Sequence, residues 1–463
     1  MQGIKYRNNK SFFLFLLLSA LATGLTSCKK MVTVGTPENK LISDVVFTDD
    51  KSALSATAGL YSRMMQTNTI FASSAMTLYP AMSADEIFNT IAGTNDEFSK
   101  NSLNISNSTI QNNIWGFGYN YIYQANAIIE GLEKTGNISA EIKNRLLGEA
   151  KFIRAFCYFY LVNLFGDIPL VVTTSYEQNA VLPRHSSASI FEQVISDLKE
   201  AQTHLASTGL TTDHTRPDKW AVTALLARVY LYRRDWANAE LNATTLINAG
   251  LYNLETSLAK VFLPASKEII WQMVPVQPNY NTWEGNLFIP ATGIVPSYSL
   301  TSFLKNAFEI NDQRKSVWTQ NITVNGSVYT YPYKYKIRTG ATITEYYVVL
   351  RLAEQYLIRA EARVQQDKIN EALSDINLIR NRAGLTNVIT TNKPTILSVI
   401  EHERQIELFA EWGHRWFDLK RTGRIDAVLG IVKPSDWAST DALYPIPATE
   451  ILRNPFLTQN PGY

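Results

Sequence analysis

Apolar residues recur at three- and four-residue intervals over Lys51 to Met65, Ile110 to Lys134 and Ser139 to Phe165, which predicts three helices. The third closes at Gly166, with Pro169 just beyond, a common way for a helix to stop. Its apolar side chains, among them Leu146, Ile153, Phe156, Phe159, Leu161 and Leu164, run nearly all the way round, so this helix is expected to be buried. Two later stretches read as helical hairpins of similar size. One covers residues 217–249, breaks near Arg233-Arg234-Asp235 and stops at Gly250; the other covers residues 350–383, breaks near Gln366-Asp367-Lys368 and stops at Gly384. Ala221, Ala224 and Ala227 in the first, and Ala360 and Ala362 in the second, would let paired helices approach closely. Between the hairpins, residues 251–348 change character. Pro264, Pro275, Pro278, Pro290, Pro296 and Pro332 forbid long helices there, and Val328 to Tyr335 alternates aromatic with other residues as a strand would. Loops of that length on a rigid scaffold usually carry function.

The N-terminus follows a different logic. Lys5, Arg7 and Lys10 precede an apolar run from Phe12 to Leu25, the pattern of a secretory signal peptide covering residues 1–27. The run is too short for the roughly 20 residues of a membrane-crossing helix, and no later segment approaches that length. Leu25-Thr26-Ser27-Cys28 resembles the lipobox of bacterial lipoproteins, in which the cysteine is lipidated and becomes the N-terminus. Two or more acyl tails, at about 0.8 kcal/mol per buried CH₂, anchor a protein stably, so Cys28 is expected to hold the chain on a membrane. Residues 28–50 are polar and weakly patterned, as a tether would be, and the folded body is expected over residues 51–463.

Composition narrows the choice further. The chain carries a formal charge of +2, but the three basic residues of the leader account for it, so the mature protein is near neutral and nucleic acid is not an expected partner. Cys157 is the one cysteine left after Cys28, which leaves no pair for an intramolecular disulfide, and beside Phe156 on an apolar face it reads as a buried inert thiol.

The segment 402–418 concentrates charge: Glu403, Glu407 and Glu411 at four-residue spacing, with His402, Arg404, His414, Arg415 and Asp418 among them. An acid/base or metal site could be built from such residues. The favoured reading is an ion-pair lattice locking the last helix to the bundle, with Arg404 pairing Glu407 and Arg415 pairing Asp418 at three-residue spacing. No HExxH spacing is present, and neither a metal, a cofactor nor a catalytic residue is expected.

The nine Trp and 23 Tyr make the better functional argument, since exposed rings stack on the apolar faces of sugars. Trp115, Trp220, Trp271 and Trp416 lie in regular segments and are expected in the core. Trp283, flanked by Tyr280, Asn281 and Asn286 in a proline-bounded loop, is the expected ligand platform. Tyr79, Asp85, Phe88 and Asn95, in the stretch between the early helices, form a second candidate cluster.

Five blocks in order resemble the SusD/RagB family: Glu149 to Phe156 running on to Leu164-Phe165-Gly166-Asp167-Ile168-Pro169-Leu170; Asp218 to Leu231; Leu350 to Ala362 with Asn377 to Gly384; Glu403-Arg404 through Trp412 to Arg421; and Pro445-Ile446-Pro447 with Gln459 to Tyr463. The resemblance implies a mainly α fold, a single large domain on tetratricopeptide-like hairpins with an irregular, short-strand, ligand-facing insertion at 251–348. The two hairpins, each close to the about 34-residue period of such repeats, fit that expectation. It further implies a non-catalytic lipoprotein of the outer membrane, surface-exposed, that binds oligosaccharide or another nutrient and acts as a lid on a SusC-like TonB-dependent transporter. Both candidate clusters lie in regions that face the ligand in relatives. Lys29 and Lys30, following the lipidated cysteine, depart from the acidic residues common in surface-exported relatives. A helical glycan-degrading enzyme, with Asp85 or Glu86 opposite Glu284, and a protein-binding repeat scaffold are the rival readings.

Overall fold

The computed structural model describes residues 46–93, 95–206 and 213–463; the leader, Cys28 and most of the expected tether lie outside them. Helix α1 (Asp50–Met64) starts where the Asp49 carboxylate accepts the Ser52 amide. Just ahead of it Phe47 is already packed, because Gly131 leaves room: a Cβ there would stand 2.2 Å from the Phe47 ring. The folded body therefore takes in part of the expected tether. Helix α2 (Ala75–Ser83) is buried along its whole length, with Pro80 inside it. Strand β1 (Ile87–Asn89) follows. The helix expected over 110–134 begins as a π-helical stretch, Thr109–Gly116, before becoming α3 (Phe117–Lys134).

The helical stack comes next. Helix α4 (Ala140–Phe165) is buried over most of its length and ends at Gly166, whose φ of 73° suits glycine. It packs on α3 and on α5 (Ser187–His204), and α5 packs in turn on α6 (Lys219–Tyr232). Asp218 caps α6 and Asp235 caps α7 (Trp236–Asn248), which sets the break of the first hairpin where the sequence places it. The second hairpin is α9 (Leu352–Gln365) and α10 (Ile369–Arg382). In space α7 packs directly on α9, so the stack continues from one hairpin to the next and residues 251–348 are looped out between adjacent repeats. The last members are α11 (Lys393–Glu407) and α12 (His414–Thr422).

A buried ion pair ties each of several helix junctions. Arg154 on α4 grips Asp197 on α5 at 2.8 and 2.6 Å. Arg228 on α6 grips Glu354 on α9 with two contacts of 2.6 Å, and Arg359 grips Asp375 between α9 and α10 at 2.9 and 2.6 Å. Several of the charged family-motif residues are thus clamps between helices. Such bidentate pairs are stronger and more directional than single hydrogen bonds, so they fix how one helix sits on the next.

The looped-out region supplies β2 (Ile269–Met273), α8 (Trp283–Phe288), β3 (Tyr298–Leu300), β4 (Thr319–Val324), β5 (Ser327–Pro332) and β6 (Tyr347–Arg351). β2 pairs antiparallel with β6, and β1 with β3. β4 and β5 form a hairpin whose turn residues, Asn325 and Gly326, both have positive φ, the geometry preferred for two-residue turns.

The lattice at 402–418 exists, but its pairs are not those that spacing predicts. Arg404 pairs with Asp418 at 2.7 Å instead of Glu407, and Arg415 with Asp85 instead of Asp418. Glu407 accepts from Arg314, Arg351 and Arg382; Glu403 from Arg314 and Arg380; Glu411 from Arg351 and Lys334. Each expected pair lies within one helix, Arg404 and Glu407 on α11 and Arg415 and Asp418 on α12, but groups brought from elsewhere in the fold take the carboxylates. A break at Ala410, Trp412 and Gly413, all in left-handed backbone, separates α12 from α11. Arg404 and Asp418 therefore sit on different helices. Among the described residues no helix is long and apolar enough to cross a membrane.

Candidate functional site

Helix α8 is short and tightly seated. The Thr282 hydroxyl caps it by accepting the Gly285 amide at 3.0 Å. Gly285 lies against the neighbouring loop so closely that a Cβ would stand 2.4 Å from the Ile337 carbonyl oxygen. Trp283, the first residue of the helix, donates its indole N–H to the Met65 carbonyl at 3.0 Å, and its ring lies 4.5 Å from that of Tyr280 at an interplanar angle of 31°. Both rings are half-buried. Next to Met65, the Gln66 carbonyl accepts from Gln277 at 2.8 Å, so the platform loop is pinned twice to the end of α1.

The neighbours expected to serve the ligand serve the loop. Asn281 is 1% exposed; its amide nitrogen donates to the Thr342 carbonyl at 3.1 Å and its oxygen accepts from the Thr344 and Glu345 amides. It holds the 342–345 segment against the platform. Asn286 is half-buried and reaches the Arg338 carbonyl at 3.5 Å. Glu284 points inward, accepts the Tyr347 hydroxyl at 2.9 Å, and has its pKa pushed up to about 8 by burial.

The second cluster divides. Tyr79 is on α2, in the core, stacked on Phe98 at 4.4 Å, and burial raises its hydroxyl to about 12. Asp85 is buried and held by Arg415 through two contacts of 2.8 Å. Their places are structural: the stretch read as irregular includes a buried helix and an ion-pair clip. Phe88 and Asn95 remain at the surface side. Phe88 is 38% exposed on β1, and Asn95 donates to the Tyr298 hydroxyl at 2.7 Å.

Tyr298 is the residue that sequence reading misses. Its ring meets Phe288, at the far end of α8, edge to face at 6.4 Å, while its hydroxyl takes Asn95. Through β3, the Phe88 and Asn95 side of the second cluster is thereby joined to the helix that carries Trp283. Exposed Ile91, Val274, Val276 and Ile294 add apolar surface to the same loops. The three-residue strand Tyr298-Ser299-Leu300 is too short a pattern to mark this place in the sequence.

Of the tryptophans expected in the core, Trp115, Trp271 and Trp416 are buried and Trp220 is half-buried. Cys157 is fully buried, and desolvation pushes its thiol well above the ordinary range. Among the described residues no cluster of His, Cys, Asp and Glu has the arrangement to hold a metal ion.

Fold and loops together define a mainly helical, repeat-built protein with an aromatic platform carried on a looped-out region. Residues 306–463 match the model of the SusD family and residues 37–231 match a related model described as starch-binding, associating with the outer membrane; the chain belongs to the SusD/RagB family. A SusD-like protein of Formosa agariphila is 26% identical over 97% of this chain and 98% of its own length. The starch-binding protein SusD of Bacteroides thetaiotaomicron is 24% identical, covering 72% of this chain and 75% of its own. The crystal structure of a SusD superfamily protein from Bacteroides vulgatus superposes with a TM-score of 0.79 at 22% identity, covering 90% of this chain and 100% of that one.

Proposed function

We propose that this protein is a surface lipoprotein of the outer membrane that binds oligosaccharide on the Tyr280–Trp283 platform and delivers it, as a lid, to a SusC-like TonB-dependent transporter. The observation that carries the reading is the ring pair itself. Trp283 has its indole N–H already bound to Met65, so its orientation is set before a ligand arrives and little freedom is lost on binding. Phe88 and Asn95 border the same loops and are the next candidates for contact. The model description for residues 37–231 and the name of the Bacteroides thetaiotaomicron relative point to glycan in the same way.

In this reading residues 1–27 are removed, Cys28 is lipidated, and a short tether leads to the folded body. The protein captures its ligand and does not cleave it. A glycosidase needs two carboxylates roughly 5–10 Å apart across a cleft. Asp85, Glu86 and Glu284 are instead all buried, and Asp85 is bound to a guanidinium.

Calorimetric titration of the detergent-solubilised full chain against a panel of neutral oligosaccharides tests the proposal, with Trp283→Ala and Tyr280→Ala beside the wild type. Saturable binding without product, weakened about tenfold or more in either variant, is expected. Absence of wild-type binding across the panel would sink the glycan reading.

A further inference from the structure

A cavity lies within the helical stack and shares no lining residue with the Tyr280–Trp283 platform. It is bounded by the turn between α6 and α7, the end of α9, one side of α11 from Pro394 to Arg404 and the end of α12, and encloses about 530 Å³. That falls within the roughly 300–1,000 Å³ of small-molecule sites. Four guanidiniums line it, those of Arg234, Arg404, Arg421 and Arg424, against three carboxylates, Glu361, Glu401 and Asp418.

Three of the four arginines are engaged. Arg421 donates to Asp418 at 2.7 Å and to both oxygens of Glu361; Arg424 faces Glu401 at 3.4 Å; Arg234 donates to the Arg421 carbonyl at 2.8 Å. Arg404 differs. It is 1% exposed and its Nε donates to Asp418, yet among the described residues neither Nη1 nor Nη2 has a hydrogen-bond partner. The neighbouring carboxylates do not relieve it. Both oxygens of Glu361 are taken by Arg421, and the two of Asp418 are shared between Arg404 Nε and Arg421. Buried donors left unmade are costly, and a guanidinium presenting its Nη pair matches the two oxygens of a carboxylate or sulfate. One wall is the half-buried indole of Trp236, a surface on which a sugar ring can lie.

We propose that this cavity is a second saccharide site, selective for an acidic sugar unit whose carboxylate or sulfate oxygens take the free donors of Arg404 while its ring lies on Trp236. The inference rests on the glycan-binding reading and extends it to charged glycans. The excess of one guanidinium over carboxylates in the lining favours an anion over a neutral sugar.

The test is calorimetric titration of the full chain with D-glucuronate, glucose 6-sulfate and glucose. Either acidic sugar is expected to bind saturably where glucose does not, and which one binds identifies the oxyanion. Arg404→Lys, which keeps the charge and loses the fork, should weaken that binding at least about tenfold. Trp236→Ala, on the cavity wall, should do the same without touching the ion-pair lattice. Trp283→Ala should leave it unchanged. Equal binding of glucose overturns the proposal, as does acidic-sugar binding indifferent to Trp236→Ala, or no acidic-sugar binding at all. If neutral oligosaccharides still bind the platform in that last case, only this inference falls; if no sugar of either kind binds, the glycan reading falls with it.

Discussion

Arg415 donates to both carboxylate oxygens of Asp85, each at 2.8 Å, across 330 residues of chain. The pair is buried, and it clips the start of the platform-side loop to the last part of the helical stack. Removing one partner of a buried pair typically costs about 3–5 kcal/mol, because the other charge is left uncompensated. Asp85→Ala should therefore lower stability by about that amount in chemical denaturation, while glycan affinity of the remaining folded protein stays close to wild type. Lost affinity at undiminished stability would return Asp85 to the ligand site.

Glu407 makes a related case with three partners. Burial opposes its charge, but Arg382, Arg351 and Arg314 hold its carboxyl well below the usual range. A depressed carboxylate contributes stability that is present above its unfolded value near 4.5 and is lost as pH falls through the folded value. Glu407→Gln should destabilise the protein by roughly 3–5 kcal/mol at neutral pH. The gap to wild type should narrow on acidification below about pH 4, as followed by thermal unfolding across pH.

Glu86 and Glu284 carry the opposite sign. Burial is the main cause in each, and it raises both carboxyls to about 8 from an ordinary 4.5. The folded state then holds protons that the unfolded state has released, so their contribution to stability declines as pH rises from about 4.5 towards 8. The slope is at most about 1.4 kcal/mol per pH unit for each group. Glu86→Gln, which is neutral throughout, should gain on the wild type in melting temperature between pH 5 and pH 7.5. A constant difference across that range would show that Glu86 does not titrate there.

Gly285→Ala addresses the seat of the platform. The added Cβ would stand 2.4 Å from the Ile337 carbonyl oxygen, which is backbone and cannot swing aside. A loss of about 1–3 kcal/mol is expected. Because α8 must move to relieve the clash, glycan affinity should fall together with stability. Full affinity in a destabilised variant would mean that the ring pair is not the platform.

The helices were legible because their period is local. The Lys51–Met65 reading lies one residue from the observed Asp50–Met64, and both hairpins break where Asp235 and the residues around Asp367 indicate. The π-helical start at Thr109–Gly116 has no comparable signature in apolar spacing. At the site, Trp283 and Tyr280 could be singled out by their proline-bounded surroundings. Tyr79 and Asp85 could not be separated from ligand residues, because what fixes them, Phe98 and Arg415, is brought by tertiary packing. The same limit undid the pairing of Arg404 with Glu407: they share a helix at three-residue spacing, but Arg314, Arg351 and Arg382 take Glu407 and Asp418 takes Arg404, all brought by tertiary packing.

The pairing of β1 with β3 bears on the order in which the protein can be completed. Among the described residues, the long-range hydrogen bonds of residues 85–95 run to residues 296–301, to Ala410 or to Arg415. A chain synthesised from its N-terminus carries this rim without anchors until the strand at 298 has followed, and without its clip until α12 has. The helices up to α7 can stack from neighbours close in sequence, but the rim beside the platform must wait for chain made much later.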